Sequence, residues 1–363
     1  MNWNYTQPVE IIFGNGSLSK LSGLLNNFTK PIIVSEEYFL KNGLVDKILS
    51  VINADVFTEV SPNPYVTEVN KCSRQIRKNG NDVIIAVGGG SVIDLSKSAS
   101  VTVEDIREYH DTGKAVPDKH IPIIAVPTTS GTGSEVTSAS VLTEKAIGKK
   151  APIVSGSFFP KIALVDPELT VSMPPKVTAS TGIDVLCHAV EGYWSKGHQP
   201  ICDVLAVHSA KLVFEYLPKA YDNPNDIEAR EKMSEASLIG GLAFSLPKTT
   251  ASHACSFPIT SIYNVPHGEA CGLTLDFFAR VNAKDNRTVQ LAKELGFDTV
   301  ESFADAIFEL KKKVGLRTDL SEFKLTDENI NELVKKSHHP NLLNNPVEIT
   351  DEILYELYNN ELS

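Results

Sequence analysis

The chain has 363 residues, 42% of them hydrophobic, which is enough apolar material for two ordinary domain cores. A formal net charge of −11 at pH 7 repels phosphate groups, which argues against nucleic acid or an anionic membrane surface as the main partner. The five cysteines show no Cys-x-x-Cys spacing, which disfavours a disulfide framework or a four-cysteine zinc site. Because the chain starts without a signal-peptide pattern and holds no apolar run of membrane-spanning length, we expect a cytoplasmic protein.

The first half of the chain alternates short apolar runs with helical patterns. Such runs are typical of buried strands, and their alternation with helices predicts a mainly parallel sheet covered by helices on both faces. The runs are PIIVS at 31–35, DVIIAVGGG at 82–90, IPIIAVP at 121–127 and KIALVD at 161–166. We therefore predict an α/β domain over residues 1–175, with its ligand at the carboxyl ends of the strands.

Two turns that follow these strands are rich in glycine and hydroxyl groups. The first opens a helical pattern, and the N–H groups at the start of a helix favour a phosphate. Either turn alone also fits an ordinary polar loop, but two of them after adjacent parallel strands predict a dinucleotide site. The predicted cofactor residues are Gly88, Gly89, Gly90 and Ser91 in the first turn and Thr128, Thr129, Thr132 and Ser134 in the second.

An acidic residue, Glu36, directly follows the strand predicted at 31–35. An acidic group at this place accepts a hydrogen bond from a ribose 2′-hydroxyl and repels a 2′-phosphate, so it favours NAD(H) over NADP(H). Glu37 comes next in the chain, and an acidic pair also fits the first turn of a helix. The cofactor preference therefore rests on Glu36 alone.

The second half changes character after Pro174 and Pro175, where strand-like runs stop and helical patterns follow one another. We predict an all-helical domain over residues 176–363. Its helices are expected at 176–196, 200–216, 225–243, 250–262, 268–282, 285–295, 299–315, 326–337 and 350–360.

Four residues in the predicted helical domain have the side chains of a transition-metal site. Asp184 and His188 are four residues apart, so they share one face of a helix and can bind one ion. His253 and His267 would reach the same ion from other helices. Three imidazoles and one carboxylate suit Fe²⁺ or Zn²⁺, whereas Mg²⁺ or Ca²⁺ would need mostly oxygen ligands. The spacing alone also fits a helical polar pair and two unrelated histidines.

Several segments together resemble the iron-containing (group III) alcohol dehydrogenase family, and the resemblance spans nearly the whole chain. They are PNP at 62–64, GGGSVIDLSK at 88–97, PTTSGTGSEVT at 127–137, LVDPELTVSMPP at 164–175, TGIDVLCHAVEGY at 181–193 and YNVPHGEA at 263–270. The resemblance implies a dinucleotide-binding α/β domain followed by a helical metal-binding domain. It also implies an NAD(P)-dependent alcohol dehydrogenase or aldehyde reductase.

The same resemblance implies roles for individual residues. The family's iron ligands map to Asp184, His188, His253 and His267. Asp94 and Lys150 map to positions near the cofactor. The family often forms a homodimer through its N-terminal strand, which would lie near VEIIFG in this chain.

Two departures from the family pattern concern the substrate. Many members carry a second histidine four residues after the one that matches His253, whereas this chain has Phe257, which puts a proton relay there in doubt. The stretch SLPKTTASHACSFPIT adds Lys248, Thr249 and Thr250 before His253 and resembles the subgroup that reduces phosphonoacetaldehyde to 2-hydroxyethylphosphonate. A lysine and two hydroxyls suit a phosphonate group. An exposed lysine and a helix-capping threonine also fit this stretch.

The predicted function is the metal-dependent reduction of an aldehyde to a primary alcohol with NAD(P)H, and phosphonoacetaldehyde is the expected substrate. A general alcohol or 1,3-propanediol dehydrogenase of the same family is the alternative, and it would work best on uncharged substrates. The fold also resembles dehydroquinate synthase, a metal-dependent lyase that consumes no net NADH.

Overall fold

The computed structural model describes residues 2–110 and 112–362, which group into two compact units. The α/β unit comprises Thr6–Thr129 and Gly133–Thr170. The helical unit comprises the chain from Val171 onward, the segment Ser130–Thr132 and the N-terminal residues through Tyr5. The sequence places the boundary at residue 175 and assigns all of 130–132 to the first domain, so the structure differs at both places.

Contacts distant in sequence explain why the segment Ser130–Thr132 belongs to the helical unit. Ser130 Oγ lies 3.0 Å from Ser234 Oγ, and both side chains are buried. A Cβ on Gly131 would lie 2.7 Å from Thr181 Cβ, so the backbone at Gly131 packs directly on that residue. No local sequence pattern reports such contacts.

The α/β unit consists of short strands joined by helices. The strands are β1 (Glu10–Phe13), β2 (Pro31–Ser35), β3 (Asp55–Phe57), β4 (Val83–Gly88), β5 (Ile123–Pro127), β6 (Ala139–Glu144), β7 (Lys149–Val154) and β8 (Ile162–Val165). The helices are α1 (Leu21–Leu24), α2 (Glu37–Lys41), α3 (Leu44–Leu49), α4 (Val66–Asn79) and α5 (Gly90–Ser100).

Within the described residues, six parallel strands form one sheet in the order β1-β8-β5-β4-β2-β3. β2 is buried along its whole length. Ile32 and Val34 pack with residues of α4 and α5, whereas Ile33 packs with residues of α1, α2 and α3. This alternation is the two-residue period of a strand, and it gives the sheet a core on each face.

The strand order reverses between β2 and β4. β3 lies outside β2, whereas β5 lies on the far side of β4. Ser35 at the end of β2 pairs with Val87, and its hydroxyl donates to the Val87 carbonyl oxygen at 2.7 Å. Open parallel sheets bind their ligands at the carboxyl ends of the strands beside such a reversal.

The predicted strands correspond to β2, β4, β5 and β8, and the predicted fold class is confirmed. The apolar runs do not include β3 or the antiparallel pair β6–β7, and β1 is expected only from the family resemblance near VEIIFG. β3 has three residues, too few to show a period. β6 and β7 have alternate residues partly or fully exposed, so they lack the continuous apolar runs of the central strands.

The helical unit begins its regular structure at Pro175, where proline occupies the first helical position that suits it. Its helices are α6 (Pro175–Trp194), α7 (Pro200–Asp222), α8 (Ile227–Phe244), α9 (Ala251–Tyr263), α10 (His267–Val281), α11 (Asn286–Glu294), α12 (Val300–Lys313), α13 (Asp327–Ser337) and α14 (Asp351–Glu356), followed by a π-helical turn at Leu357–Glu361. Each predicted helix is present. None of the helices in the described ranges combines the length and apolarity that a bilayer crossing requires.

The largest difference from the predicted helix ends is in α7, which continues six residues past 216. The helix runs through Pro218, which is buried. Proline removes one backbone hydrogen bond and usually ends a helix, so the sequence predicts an end at this point. Burial of the following turn, which includes Ala220, stabilises the extension.

Candidate cofactor turns and metal centre

The first predicted cofactor turn joins β4 to α5. β4 ends at Gly88, which pairs with Pro127, and the Thr128 N–H donates to the Gly88 carbonyl oxygen at 3.1 Å. The two predicted turns therefore lie side by side. α5 begins at Gly90, and in the described chain no side chain caps its first turn. Its first N–H groups can bind an anion, which the helix dipole also favours.

Gly88 is required at the start of this turn because a Cβ there would lie 2.4 Å from Val92 Cγ2. Val92 is branched at Cβ and has little freedom to rotate away. We expect Gly88→Ala to displace the start of α5, to destabilise the α/β unit by about 1–3 kcal/mol and to raise the Kd for NADH by roughly tenfold. Thermal unfolding and a fluorescence titration with NADH measure the two effects.

Gly156→Ala is the matched control for this variant. Apart from Gly156 itself and its two chain neighbours, no described atom lies within 4 Å of the Cβ that it would add. Unchanged NADH affinity in the Gly88→Ala protein would contradict the proposed role of the turn.

Asp94 and Ser134 are hydrogen-bonded to each other. Both are predicted to contact the cofactor. The Ser134 hydroxyl donates to Asp94 Oδ1 at 2.5 Å, and the Val141 N–H donates to Asp94 Oδ2 at 2.9 Å. Lys97 is fully buried and donates to Ser134 Oγ at 2.7 Å and to the Ala139 carbonyl oxygen at 2.8 Å. Burial lowers the pKa of Lys97 to about 8. This network fixes the second turn, while direct contact of Asp94 with the cofactor stays a prediction.

Burial opposes ionisation of Asp94 and raises its pKa, although Lys97 acts in the opposite direction. The two charged side chains lie 3.8 Å apart, Nζ to Oδ1. The ion pair of Lys97 and Asp94 has a structural role, because removal of either side chain would leave the other charge buried without its partner.

Several predicted cofactor residues lie at the same edge of the sheet. Glu36 directly follows β2, and burial raises its pKa. Gly89 is the residue before α5, and a Cβ there would lie 3.2 Å from Thr129 Oγ1. Ser91 Oγ accepts from the Asn63 N–H at 3.3 Å. All three residues belong to the α/β unit, and Gly89 and Ser91 lie at the open N-terminus of α5.

The remaining predicted cofactor residues are Thr128, Thr132 and Lys150. Thr128 Oγ1 is buried and has no hydrogen-bond partner among the described residues. A ligand oxygen would satisfy this hydroxyl. Lys150 Nζ donates to Asn63 Oδ1 at 2.7 Å, which ties it to the residue that contacts Ser91. Thr132 belongs to the helical unit. The glycine turn, the open helix end and the unsatisfied hydroxyl fit a dinucleotide phosphate.

The predicted metal ligands come together from three helices. Asp184 and His188 lie one turn apart on α6, His253 is the third residue of α9, and His267 is the first residue of α10. Asp184 Oδ1 is 3.6 Å from His253 Nε2 and 4.0 Å from His188 Nε2. The ring centroids of His253 and His267 lie 5.5 Å apart.

Two buried atoms without hydrogen-bond partners indicate whether this cluster fits a metal ion. Asp184 Oδ1 and His253 Nε2 have no hydrogen-bond partner within residues 2–110 and 112–362. An unsatisfied buried polar group costs about 1–3 kcal/mol. Their separation of 3.6 Å is close to the roughly 3.3 Å between ligands that bind one four-coordinate zinc ion. Imidazole nitrogens with a carboxylate oxygen suit a first-row divalent ion, so the residues present fit the metal.

A thiol that the sequence analysis does not include also lies in this cluster. Cys271 Sγ is 3.8 Å from His267 Nε2, one turn along α10. Potential ligand atoms of Asp184, His253, His267 and Cys271 all lie within 4.8 Å of one another. His188 is outside that group, although its ring stacks on His253 with a centroid distance of 4.7 Å. The structure thus brings three predicted ligands together with Cys271, and ligation by His188 stays a prediction.

The pKa shifts of Asp184 and His188 favour the forms that bind metal, whereas that of His253 favours the protonated ring. Burial alone would raise the pKa of Asp184, but the neighbouring imidazoles of His188, His253 and His267 outweigh burial and lower it well below its usual value. Burial lowers the pKa of His188 to about 4, so this ring is neutral at pH 7. Burial also opposes protonation of His253, yet Cys271 and Glu191 raise its pKa well above the usual value. A cation that binds His253 would therefore displace a proton.

Two glycines allow α10 to approach α6 at the metal ligands. A Cβ on Gly268 would lie 2.1 Å from the Ser180 carbonyl oxygen and 2.8 Å from Asp184 Cβ. A Cβ on Gly272 would lie 2.6 Å from Ile183 Cγ1. The close contact places His267 beside Asp184, since His267 directly precedes Gly268.

Glu191 is a residue at this centre that the sequence analysis misses. It is fully buried on α6, and its carboxylate contacts His253 Nδ1 through a short hydrogen bond. Asp184, His188 and Glu191 follow the helical spacing i, i+4, i+7. That spacing was the signal available in the sequence.

The predicted substrate threonines differ in their hydrogen bonds. The Thr250 hydroxyl donates to Glu191 Oε1 at 2.7 Å and accepts from Trp194 Nε1 at 2.9 Å. A hydroxyl has one proton to donate, and Thr250 uses it in the bond to Glu191. Thr250 therefore links Glu191 and Trp194 and has no proton left for a substrate oxygen. The Thr249 hydroxyl oxygen accepts from Asn341 Nδ2 at 2.8 Å, which leaves its own proton for another acceptor.

Lys248 is an exposed residue with an unusual backbone conformation and a partly buried ammonium group. Its φ of 68° lies in the left-handed region, which costs a residue other than glycine about 1–3 kcal/mol and often marks a functional site. Its Nζ donates to the Ser245 carbonyl oxygen at 2.7 Å. Burial lowers the pKa of Lys248. An anionic ligand would stabilise this ammonium.

Phe257 replaces the family's second histidine, and an imidazole from a different segment lies against it. The ring centroids of Phe257 and His339 are 4.7 Å apart, and those of Phe257 and His267 are 6.2 Å apart. His339 Nδ1 accepts from the Asn341 N–H at 3.2 Å. The segment around His339 thus packs beside the metal ligands.

Comparison with known proteins identifies the family. Residues 8–167 match the iron-containing alcohol dehydrogenase domain, and residues 178–362 match the C-terminal domain of the Fe-containing alcohol dehydrogenase family. The chain belongs to the iron-containing alcohol dehydrogenase family, and it is an oxidoreductase of aldehydes and alcohols.

Individual relatives cover most of the chain. One similar solved structure is the crystal structure of sulfoacetaldehyde reductase from Bifidobacterium kashiwanohense in complex with NAD⁺. The two sequences are 55% identical and the two folds superpose with a TM-score of 0.97, over 100% of this chain and 99% of that one. The NADPH-dependent butanol dehydrogenase of Clostridium saccharobutylicum is 34% identical over 88% of this chain and 86% of its own length. The NAD-dependent methanol dehydrogenase of Bacillus methanolicus is 30% identical over 92% of this chain and 93% of its own length.

Proposed function

We propose that the protein reduces sulfoacetaldehyde to 2-hydroxyethanesulfonate, with NADH as the hydride donor and a divalent metal, Fe²⁺ in the first place, at the helical centre. The observation that carries this proposal is the 55% identity over the whole chain to a sulfoacetaldehyde reductase bound to NAD⁺. Lys248 supports the choice of an anionic aldehyde, because it is a cationic residue that precedes by three residues the helix that carries His253.

The metal would be held by ligands from α6, α9 and α10. The proposed ligands are Asp184, His188, His253 and His267. The ion supplies Lewis acidity at the substrate carbonyl, and the nicotinamide supplies the hydride. The protein's own contribution is to hold the ligand atoms in a buried group, where charges interact more strongly than in water. Zn²⁺ fits the same ligands.

The cofactor would bind at the carboxyl edge of the sheet. The first N–H groups of α5 and the Thr128 hydroxyl would donate to its phosphates. Glu36 would accept from the ribose 2′-hydroxyl and repel a 2′-phosphate, which favours NAD(H) over NADP(H). Phe257 can neither donate nor accept a proton, so the proton that completes the alcohol would come from water or through the cofactor ribose.

The charged end of the substrate would bind Lys248 and the proton of the Thr249 hydroxyl. A sulfonate carries one negative charge, which the Lys248 ammonium balances. A phosphonate near neutral pH carries between one and two negative charges, as phosphate monoesters do, and would need a further cation. We therefore place sulfoacetaldehyde before phosphonoacetaldehyde, and both before the uncharged substrates of a general alcohol or 1,3-propanediol dehydrogenase.

The edge strand β1 supports a proposed homodimer. β1 pairs with β8 on one side only in the described sheet, and Ile11 on it is 36% exposed. An unpaired edge offers backbone groups that a second copy of the strand can bind.

A substrate panel tests the proposed function. We expect protein of known metal content to show its highest kcat/KM with sulfoacetaldehyde and NADH, measured by the loss of NADH absorbance. Phosphonoacetaldehyde and propanal are the comparison substrates, and NADPH is the comparison cofactor. A higher kcat/KM for phosphonoacetaldehyde would favour the phosphonate reductase, and one for propanal would favour the general dehydrogenase. Turnover of a substrate without net NADH loss would favour a lyase.

A further inference from the structure

The fully buried carboxylate of Glu191 joins two parts of the helical unit. Glu191 Oε1 accepts from the Thr250 N–H at 3.1 Å, from the Thr250 hydroxyl at 2.7 Å and from the Ser252 N–H at 2.8 Å. These bonds satisfy the start of α9, whose first N–H groups have no partner inside the helix. Glu191 Oε2 forms the short hydrogen bond with His253 Nδ1.

The direction of the hydrogen bond between Glu191 Oε2 and His253 Nδ1 determines which ring nitrogen of His253 carries the proton. Because the carboxylate oxygen is an acceptor, Nδ1 is the donor and carries the ring proton. The lone pair of the neutral ring is then on Nε2. Nε2 is the buried atom without a hydrogen-bond partner, and it lies 3.6 Å from Asp184 Oδ1. A helix cap alone would not require the contact with Nδ1.

The charges of the centre also depend on Glu191. Asp184 and Glu191 are both buried, and among the described residues no lysine or arginine lies within salt-bridge distance of either one. Buried carboxylates are costly without a compensating charge. A divalent cation would balance these two negative charges, of which Glu191 carries one.

We propose that Glu191 is a positioning residue of the metal centre, which holds the proton of His253 on Nδ1 and thereby presents Nε2 to a divalent cation. The inference rests on the metal centre proposed above. Partners of this kind typically change metal affinity by 10- to 100-fold.

The variant Glu191→Gln tests this role with little change in shape. The amide oxygen can still accept from the start of α9, and the NH₂ group then faces His253 Nδ1. That nitrogen must accept, which moves the ring proton to Nε2. We expect the Kd for Zn²⁺, measured by competition with a chromophoric chelator on metal-free protein, to rise by about 10- to 100-fold.

Two further variants separate positioning from structural support. Thr250→Val removes one of the bonds to Oε1 and leaves the bond between Oε2 and His253, so it should lower thermal stability without changing the Kd for Zn²⁺. Glu269→Gln alters another buried carboxylate, which contacts Arg317, and should also leave the Kd unchanged. A wild-type Kd in Glu191→Gln, or an equal increase in Thr250→Val, would overturn the inference.

A measurement on the wild-type protein keeps the inference testable if Glu191→Gln does not fold. In zinc-loaded protein labelled with ¹⁵N-histidine, the spectrum should show the proton of His253 on Nδ1 and the metal on Nε2. The opposite arrangement would overturn the role of Glu191. Wild-type protein that binds no zinc would instead refute the metal centre itself, so the two failures are distinguishable.

Discussion

Replacement of His267 by alanine is expected to remove the bound metal and the activity together. His267 is the first residue of α10, and its Nδ1 lies 3.3 Å from Ser256 Oγ, a hydroxyl that itself donates to the His253 carbonyl oxygen. Because Ser256 uses its only proton in that bond, His267 Nδ1 donates to Ser256, while His267 Nε2 lies 3.8 Å from Cys271 Sγ. Loss of several kcal/mol of charge stabilisation at the carbonyl corresponds to a decrease in kcat/KM of at least about 10³-fold.

The measurement pairs elemental analysis of the purified protein with NADH oxidation. His208→Ala is the control, because His208 lies on the exposed part of α7 and pairs with Glu235. The control should keep both metal and turnover. Full turnover by metal-free His267→Ala protein would refute the assignment of the centre.

Replacement of Lys248 by methionine is expected to change specificity rather than general activity. Methionine keeps the length of the side chain and the cost of the left-handed backbone at φ 68°, but it removes the ammonium. A hydrogen bond to a charged group contributes about 1.5–3 kcal/mol, so kcat/KM for sulfoacetaldehyde should fall by about 10- to 100-fold. The value for propanal, which has no anionic group, should remain at the wild-type level.

The comparison of the two substrates within one variant makes this test independent of overall damage to the protein. Lys176→Met removes an exposed lysine from α6 and serves as the control for loss of one positive charge. Equal decreases with sulfoacetaldehyde and propanal would show that Lys248 supports the structure and does not bind the substrate.

Local patterns in the sequence predict most of the fold. The runs that became β2, β4, β5 and β8 are apolar throughout because both faces of the sheet are covered, and this produces a signal within five residues. Short or half-exposed strands such as β3 and β6 give no comparable signal. The assignment of 130–132 to the helical unit depends on a contact with Ser234, more than one hundred residues away in sequence, so no local pattern predicts it.

The candidate site could be predicted where its residues share a helix or a family motif. Asp184 and His188 follow from helical spacing, and Glu191 continues that spacing, yet its function requires knowing that α9 starts beside it. The roles of Thr250 are of the same kind, since its bonds to Glu191 and Trp194 join segments 56 or more residues apart. Cys271 lies four residues after His267, and this spacing marks it in the sequence only once His267 is known to start a helix.

The contact between α10 and α6 has a consequence for how the protein acquires its ion. The distance between these helices is set by backbone atoms in contact at Gly268 and not by the cation. The ligands on both helices therefore stay within reach of each other in protein from which the ion has been withdrawn. Exchange of one divalent species for another should then proceed on the native protein without refolding, and the species found in it should follow the supply in its surroundings.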